Sequence, residues 1–100
     1  MNTALNLQQI RRTVCDLGAR YGAERIYLFG SWARGEAGDG SDIDLRIDRG
    51  EIRGLAMGGL LVDLEDALGT KVDLLSTKAL RQDFLDAIAD EEILLYEREG

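Results

Sequence analysis

The chain has 100 residues, of which 45% are hydrophobic and 31% charged, with a net charge of −7, no histidine and a single cysteine. That length suits one domain, residues 1–100, with one modest core and no room for separate catalytic and substrate domains. The lack of histidine excludes a zinc site of the usual nitrogen and sulfur ligands and any histidine-activated nucleophile, while the negative charge disfavours a groove tracking a long nucleic acid, which would need arginine and lysine.

Chemistry in this chain therefore has to run on carboxylates. No repeat or low-complexity tract interrupts the sequence, and no apolar run approaches the roughly 18 residues of a membrane span. The opening MNTALNLQQIRR lacks the apolar stretch and cleavage site of a secretory signal. With Cys15 alone there is no internal disulfide, and a reducing, cytoplasmic setting without a membrane partner is expected.

Leu7, Ile10, Val14, Leu17 and Tyr21 recur at steps of three and four residues, which predicts an amphipathic helix ended by Gly22. RIYLF, residues 25–29, reads as a short strand that stops at Gly30. WAR, residues 32–34, fits one helical turn before Gly35. DIDLRI, residues 42–47, alternates charged and aliphatic side chains and reads as a second strand. Leu60, Leu61, Leu64 and Leu68 mark a helix closed near Gly69, with Gly58 and Gly59 weakening its first turn or leaving it as loop. KVDLL, residues 71–75, is a third strand. Thr77 is a cap for a helix carrying Leu80, Phe84, Leu85 and Ile88, and ILLYE, residues 93–97, is a last edge strand. Helices separated by strands give an α/β (α+β) class: a two-layer mixed β-sheet with helices packed on one face.

The chemistry concentrates in FGSWARGEAGDGSDIDLRI, residues 29–47. Gly30 and Ser31 directly follow a strand, and such a turn exposes backbone N–H groups suited to a phosphate. A plain strand-ending turn with Ser31 as N-cap explains the same residues. On a strand, Asp42, Asp44 and Arg46 share one face, because side chains alternate. Two carboxylates held together repel unless a cation lies between them, and oxygen ligands favour a hard ion such as Mg²⁺ or Mn²⁺. A solvated alternating strand remains the competing reading. Asp73, between Val72 and Leu74, supplies a third acid if its strand lies beside the first two.

GSWARG followed by SDIDL and then VDLL is similar to the minimal nucleotidyltransferase domain of the DNA polymerase β superfamily. The resemblance implies a palm-like sheet in which Gly30 and Ser31 hold the triphosphate of ATP. It also implies that Asp42 and Asp44 bind two Mg²⁺ ions, and that Asp73 binds the metal activating an acceptor hydroxyl and takes its proton. Arg34 and Arg46 are candidates for neutralising the triphosphate, because guanidinium forks match phosphate oxygens; each is equally readable as a surface ion pair. Lys71 reads as a solvated lysine. Trp32 stands where family members often carry a basic residue, and packing beneath the turn suits it better.

Minimal members of this superfamily are commonly paired with a helical HEPN-type toxin, to whose tyrosine they transfer AMP as antitoxins. That relation implies a HEPN-type partner here, docked through Arg11, Arg12, Arg20 and Tyr21 of the first helix or through the ILLYE edge. Two alternatives stay open: a non-catalytic module that masks the partner, and a transferase for a small-molecule hydroxyl.

Overall fold

A capping box starts the chain's first helix: Asn6 accepts from the Gln9 backbone N–H at 2.9 Å, and the Gln9 side chain accepts from the Asn6 N–H at 2.9 Å. Helix α1, Leu7–Tyr21, buries Ile10, Val14 and Leu17 and ends at Gly22, whose φ of +86° is the left-handed closure favoured by glycine. The computed structural model describes residues 5–38 and 40–99. Met1 to Ala4 of the amino-terminal stretch and Asp39 of the motif stretch lie outside the described residues.

The remaining elements follow in the order β1 (Arg25–Phe29), α2 (Ser31–Arg34), β2 (Ile43–Asp48), α3 (Leu55–Leu68), β3 (Val72–Ser76), a 3₁₀ turn (Thr77–Ala79), α4 (Gln82–Ile88) and β4 (Ile93–Glu97). They form one four-stranded mixed sheet in the order β3-β2-β1-β4, as the alternation of helices and strands implied. β2 and β3 are parallel, joined by α3 as the crossover, and the other pairs are antiparallel. Ile26, Leu28, Ile43, Leu45 and Ile47 alternate onto one face and are fully buried in a single cluster with Ile10, Val14, Leu60 and Leu64 of α1 and α3. Burying each such side chain stabilises the fold by about 1.5–3 kcal/mol before entropy is subtracted. No helix among the described residues is long and apolar enough to cross a membrane.

Four elements have limits that differ from the sequence reading. β2 and β3 each begin and end one residue later than expected, so Asp42 precedes its strand. Gly58 and Gly59 lie inside α3, not in a loop before it. Gly59 leaves room for Tyr21, whose hydroxyl oxygen would sit 3.2 Å from any added Cβ, and that hydroxyl donates to Asp63. Thr77 opens the 3₁₀ turn and does not cap α4, which starts at Gln82 after Arg81. Phe84 of α4 meets Phe29 edge to face at 5.8 Å, which sets α4 against the end of β1.

Candidate active site

Strand alternation that sends Ile43, Leu45 and Ile47 into the core turns Asp44 and Arg46 to the opposite face. Parallel pairing then sets Asp44 directly beside Asp73 of β3, and antiparallel pairing sets it beside Phe29 of β1. Two of the three acids are therefore brought together by register alone. Burial pushes the Asp44 carboxyl up to about 6, with the charge of Asp73, a hydrogen bond shared with Asp73 and the charge of Asp42 adding to the rise; Arg34 acts in the opposite direction.

Asp42 is exposed in the turn before β2, one residue outside the strand on which the sequence pattern placed it. β2 begins at Ile43 because its N–H donates to the Lys71 carbonyl at 3.0 Å, and its partner Val72 is the first residue of β3. Among the described residues, no three acidic or cysteine side chains are gathered in a group that would hold a metal ion. The assembled unit is the Asp44–Asp73 pair, with Asp42 contributing charge from the adjoining turn.

Gly30 sits at the junction of β1 and α2 with φ +77°, and an added Cβ would collide with the Asp44 carboxylate. The glycine is thus what allows the turn to lie against the acid. Its N–H donates to Glu91 Oε2 at 2.7 Å. Ser31 is the first residue of α2, not its cap; that position belongs to Gly30. Arg34 closes the short helix, with Nε donating to Glu36 Oε1 at 2.9 Å and Nη1 to Glu91 Oε1 at 3.2 Å. Those carboxylates, Glu36 first, raise the guanidinium above its ordinary value and keep it charged beside the acidic pair.

Arg46 is held differently. Its Nε and Nη2 bond to the two carboxylate oxygens of Glu92 at 2.5 and 2.9 Å, its Nη1 donates to Thr77 at 2.9 Å, and its guanidinium stacks 4.0 Å from the Tyr27 ring centroid. The structure shows Arg46 as one half of an ion pair, the reading left open beside phosphate contact. Lys71 is exposed, as expected of a solvated lysine. Trp32 packs half-buried against the core, and its Nε1 is buried without a hydrogen-bond partner among the described residues.

Glu91 and Glu92, which hold Arg34 and Arg46, are partners that the sequence pattern did not reveal. Both belong to the turn between α4 and β4, where their N–H groups bond to the Ile88 carbonyl at 3.0 and 3.1 Å. The faint available signal is a pair of adjacent acids just before an edge strand, in a chain whose glycine turn carries an arginine.

Residues 17–100 match the family model described as "Polymerase beta, Nucleotidyltransferase". The protein adenylyltransferase MntA of Thermococcus cleftensis is 35% identical over 79 residues, spanning 78% of this chain and 80% of the relative. A solved structure described as a "putative minimal nucleotidyltransferase" superposes with a TM-score of 0.79 at 36% identity, over 92% of this chain and 98% of the other. The fold is also shared, with a TM-score of 0.69 at 21% identity over 91% of this chain and 72% of the other, with a structure of a tri-AMPylated Shewanella oneidensis HEPN toxin in complex with an MNT antitoxin. The match to this family model over most of the chain, together with the adenylyltransferase relative, shows that the chain belongs to the polymerase β nucleotidyltransferase family.

Proposed function

We propose that this chain transfers AMP from ATP to a hydroxyl group, a tyrosine in the first instance, on a HEPN-type toxin and so acts as its antitoxin in the cytoplasm. The observation that carries this reading is the in-register Asp44–Asp73 pair lying against Gly30. The adenylyltransferase name of the Thermococcus relative and the AMPylated toxin of the Shewanella complex support the choice of donor and partner.

The donor set suits a hard divalent cation: every candidate ligand is a carboxylate oxygen, and Asp44 is pushed toward protonation by burial and by acidic neighbours whose charge a cation would offset. Asp42, Asp44 and Asp73 would hold such ions, two Mg²⁺ or Mn²⁺, with Asp42 turning in from its exposed position. When bound, they would supply charge neutralisation at the triphosphate and activation of the acceptor oxygen. The chain's own groups do the rest. Gly30 lets the backbone approach the phosphates, and Ser31 offers its N–H and hydroxyl. Arg34, fixed through Nε and Nη1 by two carboxylates, has its Nη2 left to donate to a phosphate oxygen. The acceptor oxygen bonds to the α-phosphorus as the bond to pyrophosphate breaks, and the hydroxyl proton passes to a carboxylate oxygen of Asp73.

One observation favours a second reading, a module that masks the toxin without catalysis: Asp42 stands outside the Asp44–Asp73 pair. Labelled ATP with Mg²⁺ and the co-purified partner decides between them. Transfer of label to the partner, abolished by Asp44→Asn and by Asp73→Asn while complex formation persists, is the expected result. Label that survives both substitutions, or none with the unaltered protein, overturns the catalytic assignment.

A further inference from the structure

A cavity lies at the other end of β2, about four residues and therefore roughly 13 Å along the strand from Asp44. It has a volume of about 570 Å³ and is formed by the loop after β2 and the turn after β3. Arg49, Arg53 and Lys78 line it together with Ser76, and buried Ile47 and Ile52 form its floor. The two acids of its lining are engaged by Arg25, which bonds to Glu24 at 3.1 Å and to Asp48 at 3.0 Å. The side chains of Arg49, Arg53 and Lys78 make no ion pair among the described residues, so three cations gather without a bonded carboxylate in a chain of net charge −7.

The wall of this cavity is built before any ligand arrives. The Glu51 N–H donates to the Gly22 carbonyl and the Ile52 N–H to the Arg49 carbonyl, each at 3.0 Å, and Ile52 is buried. Gly50, with φ +60°, lies so close to the Gly22–Glu24 backbone that a Cβ would come 2.7 Å from the Gly22 carbonyl oxygen. A fixed loop loses little further freedom on binding.

We infer that this cavity is a second anion site, separate from the nucleotidyl-transfer site, that takes a small phosphate-bearing compound through its phosphoryl oxygens. Charge selects the class: three cations match a di- or trianionic phosphate or diphosphate, whereas a single carboxylate leaves two of them unpaired. Size agrees, because 570 Å³ lies within the range of small-molecule pockets. No aromatic side chain among the described residues lines it, so these residues offer no platform on which a base would stack, and the phosphate carries the recognition.

The probe is inorganic pyrophosphate, titrated without divalent cations into uniformly ¹⁵N-labelled protein. Saturable shifts are expected at the amides of residues 49–54 and 76–78. Affinity should fall by about tenfold or more in Arg49→Ser/Arg53→Ser and stay unchanged in Asp44→Asn. A thermal melt of the double variant shows that it is folded, and its nucleotidyl transfer should be unaltered. Shifts confined to residues 30–34, no saturable shift, or an affinity indifferent to the double substitution each overturn the proposal. Because the readout is pyrophosphate binding without ATP or divalent cations, it is independent of the catalytic reading.

Discussion

The backbone N–H of Gly30 and the carboxylate of Glu91 are bonded at 2.7 Å, and the same carboxylate reaches Arg34 Nη1 at 3.2 Å. One acid from the α4–β4 turn thus ties together both ends of the short helix that borders Asp44. Glu91→Ala frees the Gly30 peptide and removes one of the two groups that orient Arg34. The KM for ATP should rise about tenfold with a smaller change in kcat, because positioning of the triphosphate is lost while the acids are retained. Glu91→Gln keeps an acceptor for Gly30 and should recover part of the effect. Steady-state kinetics of the two variants check this.

Gly30→Ala forces a side chain into the left-handed region and against the Asp44 carboxylate. A stability loss of about 1–3 kcal/mol is expected from the backbone alone. Transfer should be lost as well, since the added methyl displaces Asp44 from its place beside Asp73. Urea denaturation and the labelling assay report the two effects separately.

Asp44 gives the ligand-free protein a pH dependence of definite sign. Its carboxyl titrates near 6 in the folded state against an ordinary 3.8, so the folded state binds the proton more tightly. That contribution to stability is complete below about pH 4, is lost as pH rises to about 6 and is absent above. Asp44→Asn removes the ionised carboxylate that burial and the charge of Asp73 disfavour above that pH. The variant should therefore gain stability over the unaltered protein, with a larger difference in Tm at pH 7.5 than at pH 4. A difference independent of pH would show that the carboxyl is not held up.

Arg46 and Glu92 are each only 12% exposed in their side chains, so breaking the pair strands a charge in a dry place. Arg46→Met should cost about 3 kcal/mol, within the range for a buried pair that loses one partner. Nucleotide affinity should change little, because the fork is spent on Glu92 and Thr77. A large loss of affinity in a variant that melts normally would restore Arg46 to the phosphate site.

Much of this organisation is written locally. α1 is fixed by apolar spacing and by the left-handed glycine at its end, and β1 and β4 by compact β-prone runs, so their limits were legible. The start of β2 was not, because Asp42 continues the alternation of DIDLRI perfectly well; what excludes it is that β3 first pairs at Val72. The amino-terminal half of α3 was hidden for a similar reason. Two glycines cost about 1 kcal/mol each in a helix, and the contact that makes Gly59 useful comes from Tyr21, 38 positions earlier. Asp44, Asp73 and Gly30 were legible because residue type and spacing carry their chemistry. Glu91 and Glu92 act on Arg34 and Arg46 at separations of 57 and 46 residues, and no local pattern encodes that pairing.

β3 is an outermost strand, and it is held to the sheet through β2 alone. Asp73 therefore rides on the border of the molecule, and only the 14-residue crossover α3 and a single ladder fasten it. On warming, detachment of that border would separate the two acids while the β2–β1–β4 remainder still stood. Catalytic competence would then vanish at a lower temperature than the bulk of the ellipticity, and hydrogen exchange would be faster along Val72–Ser76 than along Arg25–Phe29.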